Sequence, residues 1–380
     1  MKFKSYIIFF LLMGVLADVT FGLLVFPDIP VLWKFVAALP TLTLLVCLPF
    51  IGSGTRYTDS VRLFSWTMFI FAFPKFVLGL FFCIGRYLMR IPHETAAGIA
   101  VAAGIAVSIF FLTLIVFVSR RLAVDEEELR FPSLPEAFDG LRVCHIADLH
   151  LGSLPRDGVF VRKVARTIQA LKPDVILFAG DLVNFESREA LPFVEVLREF
   201  RAPLGVIAVR GNHDFLLHGP HGDASREKDA SRLLDLELGL GWKMLLNDNV
   251  TLTRGGGSLA IAGVENYSDN PYFEHTGADL SKAMEGLPDG IFTILLSHDP
   301  SHWRAEVVPR GDIPLTLSGH THGLGYKFAG LKPSHWRLRE SAGTYYAGSQ
   351  VLHVTRGLGS AFAFRLGGFP MIDILTLKKI

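Results

Sequence analysis

Cysteine is almost absent: three in 380 residues. Two of them lie in apolar stretches, so neither a disulfide framework nor a cysteine-ligated metal site is available. Charge is scarce in the first third. Of 37 basic and 36 acidic residues, only 12 fall in residues 1–119, and of 13 histidines only His93 does. That scarcity excludes a single water-soluble globule, while 50% hydrophobic content excludes a disordered chain. An excess of one sign is lacking too; a net charge of +1 argues against a general nucleic-acid binder. No internal repeat or low-complexity tract stands out. What remains is two materials in one chain: a membrane anchor of four transmembrane helices over 1–119, and a water-soluble domain over 141–380. Between them, residues 120–140 carry a basic pair, the acidic run Asp125–Glu128 and two prolines, which predicts a solvated linker.

Four apolar runs are long enough to cross ~30 Å of hydrocarbon at ~1.5 Å per residue. They are Tyr6–Phe26, Val31–Ile51, Leu63–Ile84 and Ala96–Val118. Lys2 and Lys4 would also suit a secretory signal, but the run is long, lacks an Ala-x-Ala site and precedes three more spans. With the N-terminus inside, Lys2, Lys4, Arg56, Arg62, Arg120 and Arg121 are cytoplasmic, against Arg86, Arg90 and Lys34 outside. Four crossings then return the chain to the cytoplasm. Asp18 and Lys75 fall mid-span at similar depth, where a lone charge costs several kcal/mol. They are expected either to pair between the first and third spans or to snorkel or neutralise separately.

In the soluble part, short apolar runs alternate with helical patterns, which predicts an α/β domain. Strands are expected at Leu141–Ala147, Asp174–Ala179, Leu204–Val209, Leu259–Val264, Ile291–Ser297, Pro314–Leu317, Val351–Val354 and Met371–Leu377. Helices are expected near Gly158–Leu171, Arg188–Phe200 and Ser225–Leu238, with weaker ones at Asp279–Met284 and Pro300–Val307. Polar clusters follow the strands, where α/β folds place their sites. These are Asp148-Leu149-His150, Gly180-Asp181, Gly211-Asn212-His213-Asp214, His298, and Gly319-His320-Thr321-His322-Gly323. Residues two apart on extended backbone point the same way, so Asp148 with His150, and His320 with His322, can converge on one point. Taken singly, several of these read as ordinary turns or structural histidines. Together they offer Asp148, Asp181, Asn212, His150, His298, His320 and His322. That set is too large for one tetrahedral zinc and suits two ions sharing a bridge.

The ordered set Asp-x-His, Gly-Asp, Gly-Asn-His-Asp, His and Gly-His-x-His resembles the calcineurin-like metallophosphoesterase superfamily over Leu141–Leu377. Residues 134–150 and Arg356-Gly357-Leu358-Gly359 look most like its bacterial membrane-anchored branch. The resemblance implies a four-layer α/β/β/α sandwich preceded here by four transmembrane helices. It implies one divalent ion at Asp148, His150, Asp181 and His322, and a second at Asp181, Asn212, His298 and His320, with Asp181 the bridge. His213 would contact the phosphate and Asp214 orient it. The oxygen- and imidazole-rich donor set suits Mn, Fe or Zn. The implied chemistry is hydrolysis of a phosphate ester. Two departures bear on substrate: Gly323-Leu324-Gly325 stands where the branch commonly has Gly-Gly-Gln, and Pro370-Met371-Ile372 where it often has Pro-Glu-Ile.

The stretches His218–Asp223, Glu265–Phe273 and Leu324–His335 are expected to border the site. Their aromatics Tyr267, Tyr272, Phe273, Tyr326 and Phe328, with Trp336 nearby, are suited either to an acyl chain or base, or to packing. A domain tethered close to a bilayer meets lipid-borne substrates at high effective concentration. The expected partner is therefore the bilayer, and the expected substrate a phosphodiester or pyrophosphate in a lipid or envelope precursor. Superfamily members that cleave nucleotide-linked glycolipids commonly have Arg where His213 stands. Two other classes compete: an inactive receptor or scaffold, disfavoured by the intact ligand set, and a channel or carrier, for which only Asp18, Lys34 and Lys75 offer polar pathway residues.

Overall fold

The computed structural model describes residues 2–53, 56–220, 222–268, 277–323, 339–361, 365 and 368–380. It divides into two compact units, one N-terminal to residue 118 and one after it.

The N-terminal unit contains four helices long and apolar enough to cross a membrane: Ile7–Val25, Val31–Ile51, Tyr57–Leu88 and His93–Arg120. Their positions match the four expected spans. Small residues let these helices approach, as at Ala96, Ala97 and Ala100, which pack on Leu78 and Phe82. Pro74 cannot donate to the carbonyl of Ile70, and the helix widens into a π turn over Met68–Ala72. The Ser108 hydroxyl of the last span donates to that carbonyl at 2.9 Å. A backbone oxygen that water cannot reach is thereby satisfied from a neighbour. Lys75 forms an ion pair with Asp18 and also donates to the Ala37 carbonyl at 2.7 Å. Of the two expectations for these charges, pairing is the one observed.

The second unit holds two six-stranded sheets. In chain order the strands are β1 (Ala123–Phe131), β2 (Leu141–Ile146), β3 (Val175–Phe178), β4 (Val206–Ala208), β5 (Lys243–Met244) and β6 (Asp248–Arg254). They continue with β7 (Gly257–Gly263), β8 (Thr293–Leu296), β9 (Leu315–Ser318), β10 (Gly343–Ala347), β11 (Gln350–Val354) and β12 (Met371–Lys379). One sheet runs β1-β12-β2-β3-β4-β5 and the other β10-β11-β9-β8-β7-β6. Strand parity builds the layers. Val143, Val175, Leu177, Leu375 and Leu377 from the first sheet meet Leu259, Ile261, Ile294, Leu315 and Val351 from the second. The alternate residues Cys144, Ile146, Ile176, Phe178 and Ile374 face outward under helices. Helix Val159–Leu171 supplies Phe160, Val161, Val164, Ala165 and Ile168, an apolar stripe at helical spacing. On the far side, Leu280, Ala283, Trp303 and Val307 cover Ala262, Leu295, Leu352 and Val354. The order is helix, sheet, sheet, helix: the expected four-layer sandwich.

Two expectations differ from the structure. The segment read as a solvated linker contains β1, paired in parallel with β12 from Ala123↔Met371 to Phe131↔Lys379. Its acidic run is a sheet edge whose Leu129 and Phe131 are buried between the sheets. The expected helix Arg188–Phe200 is broken into 3-10 turns at Ser187–Glu189 and Leu191–Phe193 before a short helix Val194–Leu197. Pro192 lacks the N–H and crowds the preceding turn.

Candidate metal centre

The site forms where β2, β3 and β4 of one sheet and β8 and β9 of the other end together. Each strand delivers one polar cluster: Asp148 and His150 after β2, Asp181 after β3, Asn212 to Asp214 after β4, His298 after β8, and His320 and His322 after β9. The chain must turn sharply to aim these side chains inward. Asp148, His150, Asp181, His320 and His322 all have positive φ, between 47° and 69°. Left-handed backbone at a non-glycine residue is uncommon, and five such positions in one site mark geometry held against local preference. Glycines admit the crowding. A Cβ on Gly319 would stand 2.5 Å from Asp148 Oδ2, and one on Gly211 2.2 Å from Asp181 Oδ1.

Three ligand groups result: Asp148, His150 and His322; His150, Asp181 and His213; and Asp181, His298 and His320. Within each, the ligand-capable atoms lie within 4.8 Å of one another. Asp181 belongs to two of them, with Oδ2 3.4 Å from His150 Nε2 and 3.2 Å from His298 Nε2. His322 Nε2 stands 3.7 Å from Asp148 Oδ1. Asn212, the neutral member, has its amide oxygen 3.0 Å from His320 Nδ1. All seven expected ligands are thus brought together.

The donor set fits a metal. Both ring nitrogens of His150 and Nδ1 of His322 are buried without a hydrogen-bond partner, an arrangement costly unless something else binds there. His298 presents Nδ1 to the Ala179 carbonyl at 2.7 Å, which only accepts, so Nδ1 carries the proton and Nε2 points at Asp181. Metal-binding imidazoles are characteristically fixed in this way. The electrostatics agree. Burial pushes the Asp148 carboxyl up to about 7 and holds the His150 and His322 imidazoles well below their ordinary range. Burial also works against ionisation of Asp181, yet His298, His213 and His150 outweigh it and hold that carboxyl well below the usual range. Burial disfavours the charged form of His298 as well, but Asp181 and Asp148 raise its pKa to about 10.

His213 is half-buried and presents Nδ1 to the Asn184 carbonyl at 2.8 Å, so Nδ1 is the protonated nitrogen and Nε2 is left for a substrate. Asp214 does not orient it. Its carboxylate instead accepts the backbone amides of Asp181, Leu182, Val183 and Gly211 at 2.7 to 3.3 Å. The 3-10 turn Asn212–Phe215 places it beneath the Asp181 loop, so it positions the bridging carboxylate rather than the histidine. The orienting group is the Asn184 carbonyl, a backbone atom that no side-chain pattern announces. Glu189, which accepts the Asn184 and Phe185 amides at 2.6 and 3.2 Å, and Arg365, which is buried and donates to the Arg356 and Gly359 carbonyls, were also not singled out by sequence. Of the expected border residues, the His218 ring lies 5.1 Å from that of His213, and Tyr267 stacks on His302 at 4.5 Å. Tyr272, Phe273, Tyr326, Phe328 and Trp336, and the Leu324-Gly325 departure, lie outside the described residues.

A doubly sheeted α/β sandwich with a carboxylate shared between imidazole-rich ligand groups defines a metal-dependent phosphoesterase. Residues 141–324 match the calcineurin-like phosphoesterase family. The chain is 31% identical over 269 residues to the uncharacterized metallophosphoesterase YkuE of Bacillus subtilis, covering 67% of this chain and 85% of that one. It is 32% identical over 269 residues to a bovine transmembrane protein with metallophosphoesterase domain, covering 67% of this chain and 57% of that one. Over 299 residues it is 26% identical to the UDP-2,3-diacylglucosamine pyrophosphatase LpxG of Chlamydia trachomatis, covering 64% of this chain and 86% of that one. The chain belongs to the calcineurin-like metallophosphoesterases, and it is a membrane protein that uses divalent metal to act on a phosphate ester.

Proposed function

We propose that the protein is a dinuclear phosphoesterase that hydrolyses a phosphodiester or pyrophosphate bond in a lipid or envelope precursor at the cytoplasmic face of a bacterial inner membrane. The observation that carries the dinuclear reading is Asp181, whose carboxylate is common to the His150 group and the His298–His320 group. In this reading Asp148, His150, Asp181 and His322 hold one ion, and Asp181, Asn212, His298 and His320 the other. Two divalent ions bound there would polarise a phosphoryl oxygen and lower the pKa of water between them. The protein's own residues do the rest. The four amides donated to Asp214 fix the loop that carries Asp181. The His213 amide donates to Asp181 Oδ1 at 2.9 Å and orients the shared carboxylate. With Nδ1 held on the Asn184 carbonyl, His213 in its doubly protonated form would donate from Nε2 to a phosphoryl or leaving-group oxygen, which stabilises charge that develops as the ester bond breaks.

The lipid reading is supported by the short tether: β1 begins at Ala123, three residues after the last apolar helix ends at Arg120. The name of the chlamydial relative, a pyrophosphatase of a nucleotide-linked diacyl sugar, is in keeping with it. The cytoplasmic placement rests on the distribution of Lys and Arg around the spans. The test is turnover by the detergent-solubilised full chain on monoesters, diesters and lipid pyrophosphates, each with Mn, Fe or Zn. Asp181→Ala is expected to abolish metal-dependent hydrolysis while the soluble unit stays folded. Near-normal turnover in that variant ends the dinuclear reading. Turnover of soluble nucleotides with none of any lipid substrate ends the lipid reading alone.

A further inference from the structure

A second cluster of ligand-type side chains lies in the interior of the sandwich, apart from the Asp181 centre. His145 on β2, His353 on β11 and Asp373 on β12 bring ligand-capable atoms within 4.8 Å of one another, and all three residues are buried. Strand parity explains their meeting. Val143, Leu375 and Val351 are the neighbours two positions along, and all three belong to the apolar layer between the sheets. Leu129 of β1 belongs to it too, which turns Glu127 toward the same layer. Where parity calls for hydrophobic residues, this chain places two imidazoles and two carboxylates.

The contacts are those of an incomplete ligand shell. His145 Nδ1 and His353 Nδ1 are 2.9 Å apart. His353 Nε2 is 3.9 Å from Asp373 Oδ1 and 3.9 Å from Glu127 Oε2. His145 Nε2 and Asp373 Oδ2 are buried with no hydrogen-bond partner. Residues Asp373 and His145 face each other directly in the register of β12 and β2, while His353 reaches them from the opposite sheet. The Thr355 side chain hydrogen-bonds Asp373, but the partnerless Asp373 Oδ2 and His145 Nε2 still cost free energy that a cation between them would recover.

We propose that His145, His353 and Asp373, with Glu127 as the outer ligand, hold a structural zinc ion that ties the β1–β12–β2 edge of one sheet to β11 of the other. Two imidazole nitrogens and two carboxylate oxygens are a donor set that zinc takes tetrahedrally at ~2.0–2.2 Å. Bonds of that length put ligand atoms roughly 3.3 Å apart, and one atom from each of His145, His353 and Asp373 already lies within 4.8 Å of the other two. Glu127 is partly exposed and its Oε2 accepts the Thr344 hydroxyl at 2.6 Å, which orients it at the rim through which an ion enters. His145, His353 and Asp373 are all buried in the layer between the sheets, so the ion would tie strands together rather than meet a substrate. It does not depend on the reading of the Asp181 centre.

The test uses the full chain in detergent, loaded with zinc alone and desalted. Metal counted by plasma mass spectrometry is expected to fall by one ion per chain in His353→Leu, and Asp181→Ala is expected to retain that ion. Crystals of the unsubstituted protein, measured on either side of the zinc absorption edge, are expected to give an anomalous peak between His145, His353 and Asp373. An unchanged zinc count in folded His353→Leu overturns the proposal. So does a map with no peak there, whether or not the Asp181 centre is filled. Should His353→Leu fail to fold, the map of the unsubstituted protein decides alone.

Discussion

The Gly211→Ala substitution tests whether the position of the Asp181 carboxylate governs activity. Gly211 follows β4 and lies under Asp181, and the added Cβ would stand 2.2 Å from Oδ1 and 2.8 Å from the Asp181 nitrogen. Ordinary contact begins at 3.4 Å, so the carboxylate must retreat by about 1.2 Å or the loop must shift. Backbone strain does not enter, because Gly211 has φ −95° and ψ 179°, open to any residue. A misplacement of ~1 Å in a catalytic constellation costs on the order of 10²-fold in rate. That corresponds to about 2.7 kcal/mol of transition-state stabilisation. The matched control is Gly239→Ala at the end of helix Asp223–Gly239, where the added Cβ meets nothing within 4 Å. The assay is hydrolysis of bis(p-nitrophenyl) phosphate by the solubilised chain with manganese, alongside circular dichroism and bound-metal counts. Gly211→Ala is expected to lose about 10²-fold in kcat/KM while Gly239→Ala stays within twofold. If Gly211→Ala keeps more than a third of the normal value with a normal fold, the shared-carboxylate geometry is not what sets the rate.

Metal affinity should depend on pH with a defined sign. The metal-free His298, raised to about 10 against burial by Asp181 and Asp148, holds a proton that an ion must displace. Manganese affinity is therefore expected to rise about tenfold per pH unit between about 7 and 10, and more steeply below 7, where Asp148 also holds a proton. In the metal-free protein the His298 contribution to stability is present below its ordinary pKa and is lost as pH rises through about 10. Titration against a competing chelator measures the affinity, and a flat response from pH 7 to pH 9 would contradict the assignment of that proton. In the membrane unit, Asp18→Asn and Lys75→Met are each expected to lower the melting temperature in detergent. The double variant should lose less than the sum by about 1 kcal/mol, whereas strict additivity would mean that the ion pair contributes nothing. For sidedness, protease added to intact spheroplasts should leave the soluble unit whole and degrade it only after lysis. Digestion in intact spheroplasts would place it outside.

What the sequence makes legible follows from how local each cause is. The ligand clusters stand out because Asp148, His150, Asp181, His298, His320 and His322 each sit just past an apolar strand, a position where chain order and spatial order coincide. Strand β1 is hard to read because Asp125–Glu128 looks like a wet surface, and its partner in the sheet, β12, begins only at Met371. The role of Asp214 is illegible for a different reason: its side chain caps backbone amides of a loop some 30 residues earlier, and amide direction leaves no trace in residue types. His145, His353 and Asp373 do not stand out in the sequence because each is one polar residue among apolar neighbours in its strand. Singly, such a residue reads as tolerated. Only the pairing of β12 with β2, and the packing of β11 across from them, puts all three at one depth in the layer between the sheets. Conversely, replacing the three together by Val, Leu and Leu should leave a packed core if they are mere substitutes for hydrophobic residues. If they serve a cation, the same change made in Asp181→Ala protein removes the zinc-dependent rise in melting temperature expected to persist in that variant.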